Sequence, residues 1–396
     1  MKPIALHDPS PRAAGMDPAR LAGLSEALQR RIDEGRLPGA VVLIARHGVL
    51  ACFHALGRLD PARDAPMPHD AIFRIYSMTK PVVSVAAMML AEQGRLLLED
   101  AVSRYLPEFG DVKVATAAPD GSLALAAPRR AMTVHDLLRH TAGLTYAFHS
   151  PSPVRTLYAQ AGIGDRQRTA SEFSRALAAL PLMHEPGSVW DYSRATDVLG
   201  RVIEVVCGRP LGEHLRAAVF EPLGMPDTGF HVPPAQHGRL AEPFAADPAT
   251  GQPVALIDVR QPAAFEGGGG GLVSTAADYA RFAQMLLDEG ALDGVRLLGR
   301  QTVRWMASDH LGDLPRAEAI LAPGYGFGLG VAVRTHAGRS AFAGSVGDFG
   351  WSGLAGTCFF VDPAEQLLAL VMVQAPALLD EVFQLLRNGT HAAIVD

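Results

Sequence analysis

The chain has 396 residues, of which 48% are hydrophobic and 19% are charged, a composition typical of a folded globular protein and not of a disordered one. This length suffices for two modest domains or for one large domain with an insertion. The net charge of −6 argues against nucleic acid or an anionic membrane surface as the main partner.

The first twenty residues contain no continuous apolar segment of the kind found in a secretory signal, and no stretch approaches the roughly 20 apolar residues that span a bilayer. Three widely spaced cysteines, Cys52, Cys207 and Cys358, lie in apolar sequence, which favours buried free thiols in a reducing cytoplasm. No C-x-x-C or H-E-x-x-H motif occurs. We therefore expect a cytoplasmic protein with no membrane segment, metal or cofactor.

The first predicted elements are an amphipathic helix and a β-hairpin. Asp17 and Pro18 form a helix start, and leucine and isoleucine then recur at helical spacing until Gly35. Two β-rich runs, Ala40–Ala45 and Val49–Leu56, follow on either side of a short turn. The chain thus begins with the order helix, strand, strand.

The next stretch, Ile75–Lys80, leads into an apolar run over 81–90 that is long enough for a buried helix. Ser77 then lies at a helix entrance, and Lys80 lies one turn later on the same face. A buried lysine with a lowered pKa can take the proton of the serine hydroxyl, and free N–H groups at the helix start favour an oxyanion. With three lysines and 17 serines in the chain, chance predicts about 0.13 such S-x-x-K motifs. An ordinary core helix is the alternative interpretation.

From Leu90 to about Pro262 the sequence indicates helices separated by Pro- and Gly-rich loops, with capping boxes beginning at Thr133 and Thr169. We interpret this part as a helical insertion. Five consecutive glycines, Gly267–Gly271, follow it. They are either a flexible linker or backbone that lies close to a ligand.

The final third returns to strands. Three β-rich runs and a closing helix are predicted there: Gly326–Val333, Trp351–Val361, Leu367–Val373 and Leu378–Arg387. Strands at both ends of the chain predict an α/β (α+β) fold with one sheet assembled from both termini. The predicted domains are a discontinuous α/β domain over 1–89 and 264–396 and a mainly helical domain over 90–263.

Catalysis by Ser77 would need a second proton carrier and an oxyanion donor. Tyr192 precedes a helix that begins near Arg194, where positive potential could lower its pKa for proton relay; a structural tyrosine in a loop is the alternative. The glycines of Gly350–Thr357 would let a substrate approach a strand closely, or they belong to an ordinary strand start. The motifs G-x-S-x-G, G-x-G-x-x-G and G-x-x-x-x-G-K-[ST] are absent.

Three segments, in this order, resemble the boxes of the serine β-lactamase and penicillin-recognising family: Ser77-Met78-Thr79-Lys80, Tyr192-Ser193-Arg194 and Trp351-Ser352-Gly353. The set looks most like the class C-type carboxylesterases (family VIII esterases) and related acyl transferases. Supporting similarity over 140–144, 192–206 and 268–287 extends the resemblance to nearly the whole chain from about Met16. It implies a β-lactamase/transpeptidase-like fold, with an antiparallel sheet flanked by helices and an all-helical insertion.

The resemblance also implies residue roles. Ser77 would be the acylated nucleophile, Lys80 its proton acceptor and Tyr192 the relay to the leaving group. The oxyanion hole would be the backbone N–H groups of Ser77 and Leu354. The implied substrate-binding residues are Tyr146, Trp351, Ser352 and Gly353. Which of Lys80 and Tyr192 is the base in each half-reaction stays open.

Two departures from the β-lactamase pattern bear on the substrate. Arg194 stands where those enzymes carry Asn, and Trp351 stands where they carry a Lys or His that would pair with a substrate carboxylate. We therefore expect a serine carboxylesterase that acts on small, short-chain esters or thioesters. The alternatives are an acyl transferase, a weak β-lactamase or D-aminopeptidase that uses the Arg194 charge, and a non-catalytic binding protein of the same fold.

Overall fold

A computed structural model describes residues 8–117 and 123–396 of the chain. The first seven residues of the N-terminal stretch considered above for a secretory signal lie outside these ranges. The helices are α1 Pro18–Asp33, α2 Thr79–Glu92, α3 Val134–Leu138, α4 Pro153–Gln160, α5 Ala170–Ala178, α6 Ala195–Cys207, α7 Leu211–Leu215, α8 Glu221–Leu223, α9 Ala276–Leu287, α10 Arg300–Met306 and α11 Leu379–Ala392. Within the described ranges, none of them combines the length and the apolarity that a membrane crossing requires.

The strands of the described residues form one eight-stranded sheet and several two-stranded pairs. They are β1 Gly39–Arg46, β2 Val49–Asp60, β3 Ala65–Pro66, β4 Phe73–Arg74, β5 Val114–Ala117, β6 Leu123–Ala126, β7 Val273–Ser274, β8 Ala291–Leu292, β9 Val295–Arg296, β10 Tyr325–Phe327, β11 Ala332–Arg334, β12 Phe349–Ser352, β13 Cys358–Asp362 and β14 Leu367–Val373. Eight of them form an antiparallel sheet in the order β10-β11-β12-β13-β14-β1-β2-β3. The predicted sheet from both termini is confirmed, because the N-terminal strand β1 pairs with the C-terminal strand β14 in its interior.

Strand β1 is buried along its whole length, so each face of the sheet supports its own core. Val41 and Leu43 face the core that contains α2 and α9, whereas Val42 and Ile44 face the core that contains α1 and α11. The side-chain period of two along a strand produces this division. As the sequence predicted, α1 begins after Asp17, whose side chain accepts a hydrogen bond from the N–H of Ala19.

Two predicted strands are each divided by a turn. The run Gly326–Val333 forms the hairpin β10–β11, and Trp351–Val361 is divided between β12 and β13. Gly330 and Gly356 lie in these turns with φ of +93° and +96°, a conformation that side-chain-bearing residues rarely adopt. The prediction of continuous runs was wrong because these glycines reverse the chain.

The part between Leu90 and Pro262 contains the helices α3 to α8 separated by loops, and it also contains the β5–β6 hairpin. The predicted capping boxes are present: Thr133 and Thr169 each accept a hydrogen bond from the backbone N–H three residues later. These caps fix the starts of α3 and α5.

Helix α2 is apolar on all sides, and 11 of its 14 residues are buried. A helix of this kind is stable only when it is surrounded by protein. It lies in the larger of the two cores and packs against α6. Lys80 belongs to its first turn and is therefore buried, while Ser77, just before the helix, remains half-buried.

Candidate active site

Ser77 lies in a short 3-10 turn, Tyr76–Met78, that leads into α2. Tyr76 has a φ of +42°, in the left-handed region, which is unusual for a residue other than glycine and marks local strain. Two contacts hold the turn in place. The Tyr76 hydroxyl accepts a hydrogen bond from the N–H of Ile257 at 2.9 Å, and the Met78 carbonyl accepts one from the Tyr279 hydroxyl at 2.8 Å.

The amine of Lys80 lies beside the Ser77 hydroxyl, as the spacing predicted. Its Nζ is 3.1 Å from Ser77 Oγ, 3.2 Å from Tyr146 Oη and 2.6 Å from the carbonyl oxygen of Gly269. These three neighbours and the ring of Tyr192, whose centroid is 4.5 Å away, surround the amine. The amine is therefore placed to exchange a proton with Ser77.

Burial lowers the pKa of Lys80 to about 7 because the ammonium form loses its hydration. The negative charge of Asp197 opposes this shift, and the positive charge of Arg194 adds to it. A substantial fraction of Lys80 is then neutral near pH 7. Neutral Lys80 can accept the proton of Ser77, which a lysine of ordinary pKa cannot do efficiently.

The glycine run packs closely against α6. A Cβ at position 268 would lie 2.6 Å from the carbonyl oxygen of Thr196, and one at position 269 would lie 2.7 Å from Asp197. The N–H of Gly269 donates to Asp197 Oδ1 at 2.8 Å, while its carbonyl accepts from Lys80. The linker interpretation is therefore wrong, and this backbone belongs to the site.

Tyr192 lies between Ser77 and Trp351. Its hydroxyl accepts a hydrogen bond from the indole Nε1 of Trp351 at 3.0 Å. Burial raises the pKa of Tyr192, and hydrogen bonds with Ser77 and Trp351 offset only part of the shift. The expectation of a lowered pKa was wrong because desolvation outweighs the potential at the helix start. Tyr192 is a neutral hydroxyl near pH 7, able to donate a proton.

The third box brings a strand end against the turn that carries Ser77. A Cβ at position 353 would lie 2.3 Å from the carbonyl oxygen of Ile75, so only glycine permits this approach. The N–H of Gly353 donates to the Thr357 carbonyl at 2.7 Å and closes a turn. Within the described residues, the N–H of Leu354 has no acceptor. It is free to donate to a substrate oxygen.

Arg194 is not an isolated cation. Its Nη1 is 3.3 Å from Asp197 Oδ2, and its guanidinium carbon lies 5.0 Å from the centroid of the Tyr146 ring. Asp197 thus contacts Arg194 and Gly269, and its charge raises the pKa of Lys80. The sequence interpretation missed Asp197, whose only local signal is an acidic residue in the first turn of α6, a common feature of helices.

A buried network supports the segment before Tyr192. Arg155 reaches Asp191 Oδ2 at 3.2 Å, Glu318 Oε1 at 2.6 Å and Thr145 Oγ1 at 3.0 Å. Four separate parts of the chain meet at this guanidinium. The network fixes the backbone from which the Tyr192 side chain extends, and nothing in the sequence had singled out Arg155.

The predicted site residues share one cavity of about 870 Å³. Except for Lys80, which lies behind Ser77, all of them line it: Ser77, Tyr146, Tyr192, Trp351, Ser352, Gly353 and Leu354. Its further lining is largely apolar and includes Phe148, Phe265 and Leu321. A cavity of this size has room for a drug-sized molecule.

Neither a metal site nor a reactive thiol is found elsewhere in the described part of the chain. Its His, Cys, Asp and Glu residues form no group of three that could hold a metal ion. Cys52 and Cys358 are buried free thiols, and burial raises the pKa of both to about 12. Cys207 is only half-buried, contrary to the prediction.

Comparisons with known proteins extend over almost the whole chain. The family model Beta-lactamase matches residues 24–393. The chain is 38% identical to Protein Rv1367c of Mycobacterium tuberculosis over 367 residues, covering 89% of this chain and 90% of the relative. It is 34% identical to Esterase EstB of Burkholderia gladioli over 388 residues, covering 91% and 92%. The solved structure of EstCE1, described as a hydrolase with promiscuous acyltransferase activity, matches with a TM-score of 0.77 and 30% identity, covering 96% of this chain and 99% of that one.

Proposed function

The chain belongs to the beta-lactamase family, and from that premise we propose that it is a serine carboxylesterase that works through an acyl-enzyme on Ser77. The observation that carries the proposal is the 3.1 Å contact between Ser77 Oγ and the amine of Lys80, whose pKa is lowered to about 7. The similarity to Esterase EstB and to EstCE1 supports the same class of reaction.

In acylation, neutral Lys80 takes the proton of Ser77 as the serine oxygen attacks the ester carbonyl carbon. The N–H groups of Ser77 and Leu354 stabilise the resulting oxyanion. Tyr192 then donates its proton to the departing alkoxide and regains one from protonated Lys80. The products of this half-reaction are the free alcohol and the acyl ester of Ser77.

In deacylation, a water molecule replaces the alcohol and attacks the acyl carbonyl carbon. Lys80 and Tyr192 together take up the proton of the water and return one to the Ser77 oxygen as the acid is released. The opposite pKa shifts of the two residues favour Lys80 as the base and Tyr192 as the donor in acylation, the assignment that the sequence left open.

A neutral ester group suits the surroundings of Ser77 better than a β-lactam. The Trp351 indole supplies an N–H to Tyr192, and the Arg194 charge is paired with Asp197. Neither offers a free cation for a carboxylate next to the scissile bond. The cavity of about 870 Å³ leads us to widen the expected substrates from short-chain esters to esters with larger apolar groups.

Turnover of p-nitrophenyl butyrate by the Ser77→Ala variant tests the proposal. We expect a loss of about 10⁴-fold or more in kcat, since the nucleophile is removed. Ser84→Ala is a matched control, because Ser84 is a buried serine of α2 outside the cavity, and it should keep its activity. Intact mass should show an acyl adduct on the wild-type and Ser84→Ala proteins and none on Ser77→Ala. Full turnover by Ser77→Ala would refute the assignment.

An acyl transferase is the second candidate, since EstCE1 is described as having promiscuous acyltransferase activity. Product analysis with and without an added alcohol separates the two reactions, because a transferase forms a new ester where an esterase forms the acid. A chromogenic cephalosporin tests the β-lactamase alternative. Failure of a fluorophosphonate to label Ser77 would favour the non-catalytic alternative.

A further inference from the structure

A buried cluster with excess positive charge lies at the end of the cavity remote from Ser77, where α11 meets the sheet. Arg334 and Arg387 are both about 1% exposed, and both contact the buried carboxylate of Asp348, at 3.0 Å and 2.8 Å. The nearby Asp362 is occupied by His391 and by the N–H of Ser345. Two guanidinium groups thus share one carboxylate.

The two arginines differ in their hydrogen bonds. Arg334 Nε donates to Tyr325 Oη and to Asp348, and its other nitrogens reach the carbonyl oxygens of Ala337, Phe342 and Ala343. Arg387 donates no side-chain hydrogen bond within the described residues. Its Nε and Nη1 are buried without an acceptor, and its contact with Asp348 is one of charge alone. A buried guanidinium in this state is costly unless something else accepts its protons.

Aromatic rings cover the faces of the Arg387 guanidinium. Its central carbon lies 4.0 Å from the ring centroid of Phe360, 5.2 Å from that of Phe383 and 5.7 Å from that of Phe342. Such stacking stabilises the faces of the cation, but the N–H donors lie in its plane and need acceptors there. Arg387 also lines the cavity that contains Ser77. Its Nε and Nη1 are fully buried, so a ligand in this cavity can supply an acceptor only to Nη2, which has no hydrogen-bond partner within the described residues.

We propose that Arg387 binds a carboxylate of the substrate, so that the preferred esters carry an acid group remote from the ester bond. A carboxylate oxygen can accept a charge-assisted hydrogen bond from Nη2, and the carboxylate would neutralise the excess charge of the cluster. Two exposed charged residues also line this part of the cavity, Asp380 two turns earlier on α11 and Arg339 on the facing loop. Solvent screens both more strongly than the buried Arg387. The inference rests on the proposed esterase function.

The wild-type enzyme provides the first test. Mono-p-nitrophenyl esters of adipic to sebacic acid are compared with the same compounds methylated at the free carboxylate. A second arm compares acetate esters of ω-hydroxy acids with their methyl esters, which places the carboxylate on the alcohol side. In one of the two series, at one chain length, we expect kcat/KM to be about tenfold or more higher for the free acid than for its methyl ester. The difference should lie in a lower KM for the free acid. No preference at any length in either arm would overturn the inference.

Arg387→Met should abolish most of that preference, and Arg387→Lys should keep part of it. Arg339→Met is the matched control, since it removes an exposed cation from the same cavity. Arg339→Met should leave most of the preference for the free acid in place. If it loses as much of that preference as Arg387→Met does, the carboxylate is attracted by the overall positive charge of the cavity, and the assignment to Arg387 is overturned. If Arg387→Met fails to fold, the wild-type comparison still decides.

The two proposals can fail separately. Turnover of the methylated esters tests the esterase alone, whereas the ratio between acid and methyl ester tests Arg387. If no ester is hydrolysed, calorimetric binding of the free dicarboxylates to the Ser77→Ala protein measures carboxylate recognition without catalysis. The inference would be supported if the dicarboxylate binds and the Arg387→Met substitution weakens that binding tenfold. Absence of binding would refute it.

Discussion

Lys80 and Arg387 are two buried cations that serve the same cavity from different regions, the entrance of α2 and the face of α11. The Lys80 amine has three hydrogen-bond partners, and burial lowers its pKa to about 7. Arg387 has no hydrogen-bond acceptor within the described residues, and a guanidinium cannot lose its proton. From this difference we infer that burial serves proton transfer in the first region and the binding of a substrate anion in the second.

The largest effect that would sharpen this comparison comes from exchanging the type of cation at position 80. Lys80→Arg keeps the positive charge but removes the group that can become neutral. We expect kcat/KM for p-nitrophenyl butyrate to fall by about 10³-fold, as for loss of a general base. The kcat/KM of Lys80→Met should fall by a comparable factor. Activity retained by Lys80→Arg alone would mean that position 80 supplies charge and not proton acceptance.

A smaller effect is expected at the hydrogen bond between Trp351 and Tyr192. Tyr192→Phe should lower kcat by about 10²-fold, since the proton donor to the leaving group is removed. Trp351→Phe should lower it by about three- to tenfold, because a single neutral hydrogen bond contributes about 1 kcal/mol.

The double variant distinguishes positioning from substrate contact. If Trp351 acts through the Tyr192 hydroxyl, adding Trp351→Phe to the Tyr192→Phe variant should not lower kcat any further. Additive losses in kcat would contradict that coupling and would assign the indole a separate contact with the substrate.

The parts of the site that were predictable are those with local geometry. Ser77 and Lys80 are three residues apart on one helix, so their contact follows from helical spacing alone. Tyr192 was a candidate because of its place before a helix, but the resemblance was needed to assign roles to Tyr192 and Trp351, because 159 residues separate the two partners of their hydrogen bond. A sheet assembled from both termini was predictable from the β-rich runs at both ends of the chain, although the turns within two of those runs were missed. Its antiparallel arrangement was implied only by the resemblance.

The missed residues depend on long-range packing. Asp197 gains its importance from Gly269, which is 72 residues away, and from the burial of Lys80. The raised pKa of Tyr192 has the same origin, since the sequence showed a helix start but not how deeply the side chain is buried. Arg387 appeared only as the last residue of a predicted helix. Its lack of acceptors is a property of the folded cavity.

A change in pH dependence is the next expected effect. Lys80 must be neutral to accept a proton, so wild-type kcat/KM should be constant above its pKa of about 7 and fall as the pH drops below it. The charge of Asp197 raises that pKa, and Asp197→Asn should therefore move the fall to lower pH. The measurement is the pH profile of kcat/KM for a neutral ester. A shift to higher pH would contradict the role assigned to Asp197.

The smallest expected effect concerns stability in the second region. Arg387→Met removes a buried charge that donates no hydrogen bond within the described residues, so the free energy of unfolding should change by no more than about 1 kcal/mol. Arg334→Met is the comparison, and it should cost about 3 kcal/mol or more because it leaves Asp348 and several carbonyl groups without their donor. Urea unfolding of both variants measures the difference. Equal losses would mean that Arg387 is needed by the fold itself, whereas a near-zero change at Arg387 leaves ligand binding as the reason for a buried charge at that position.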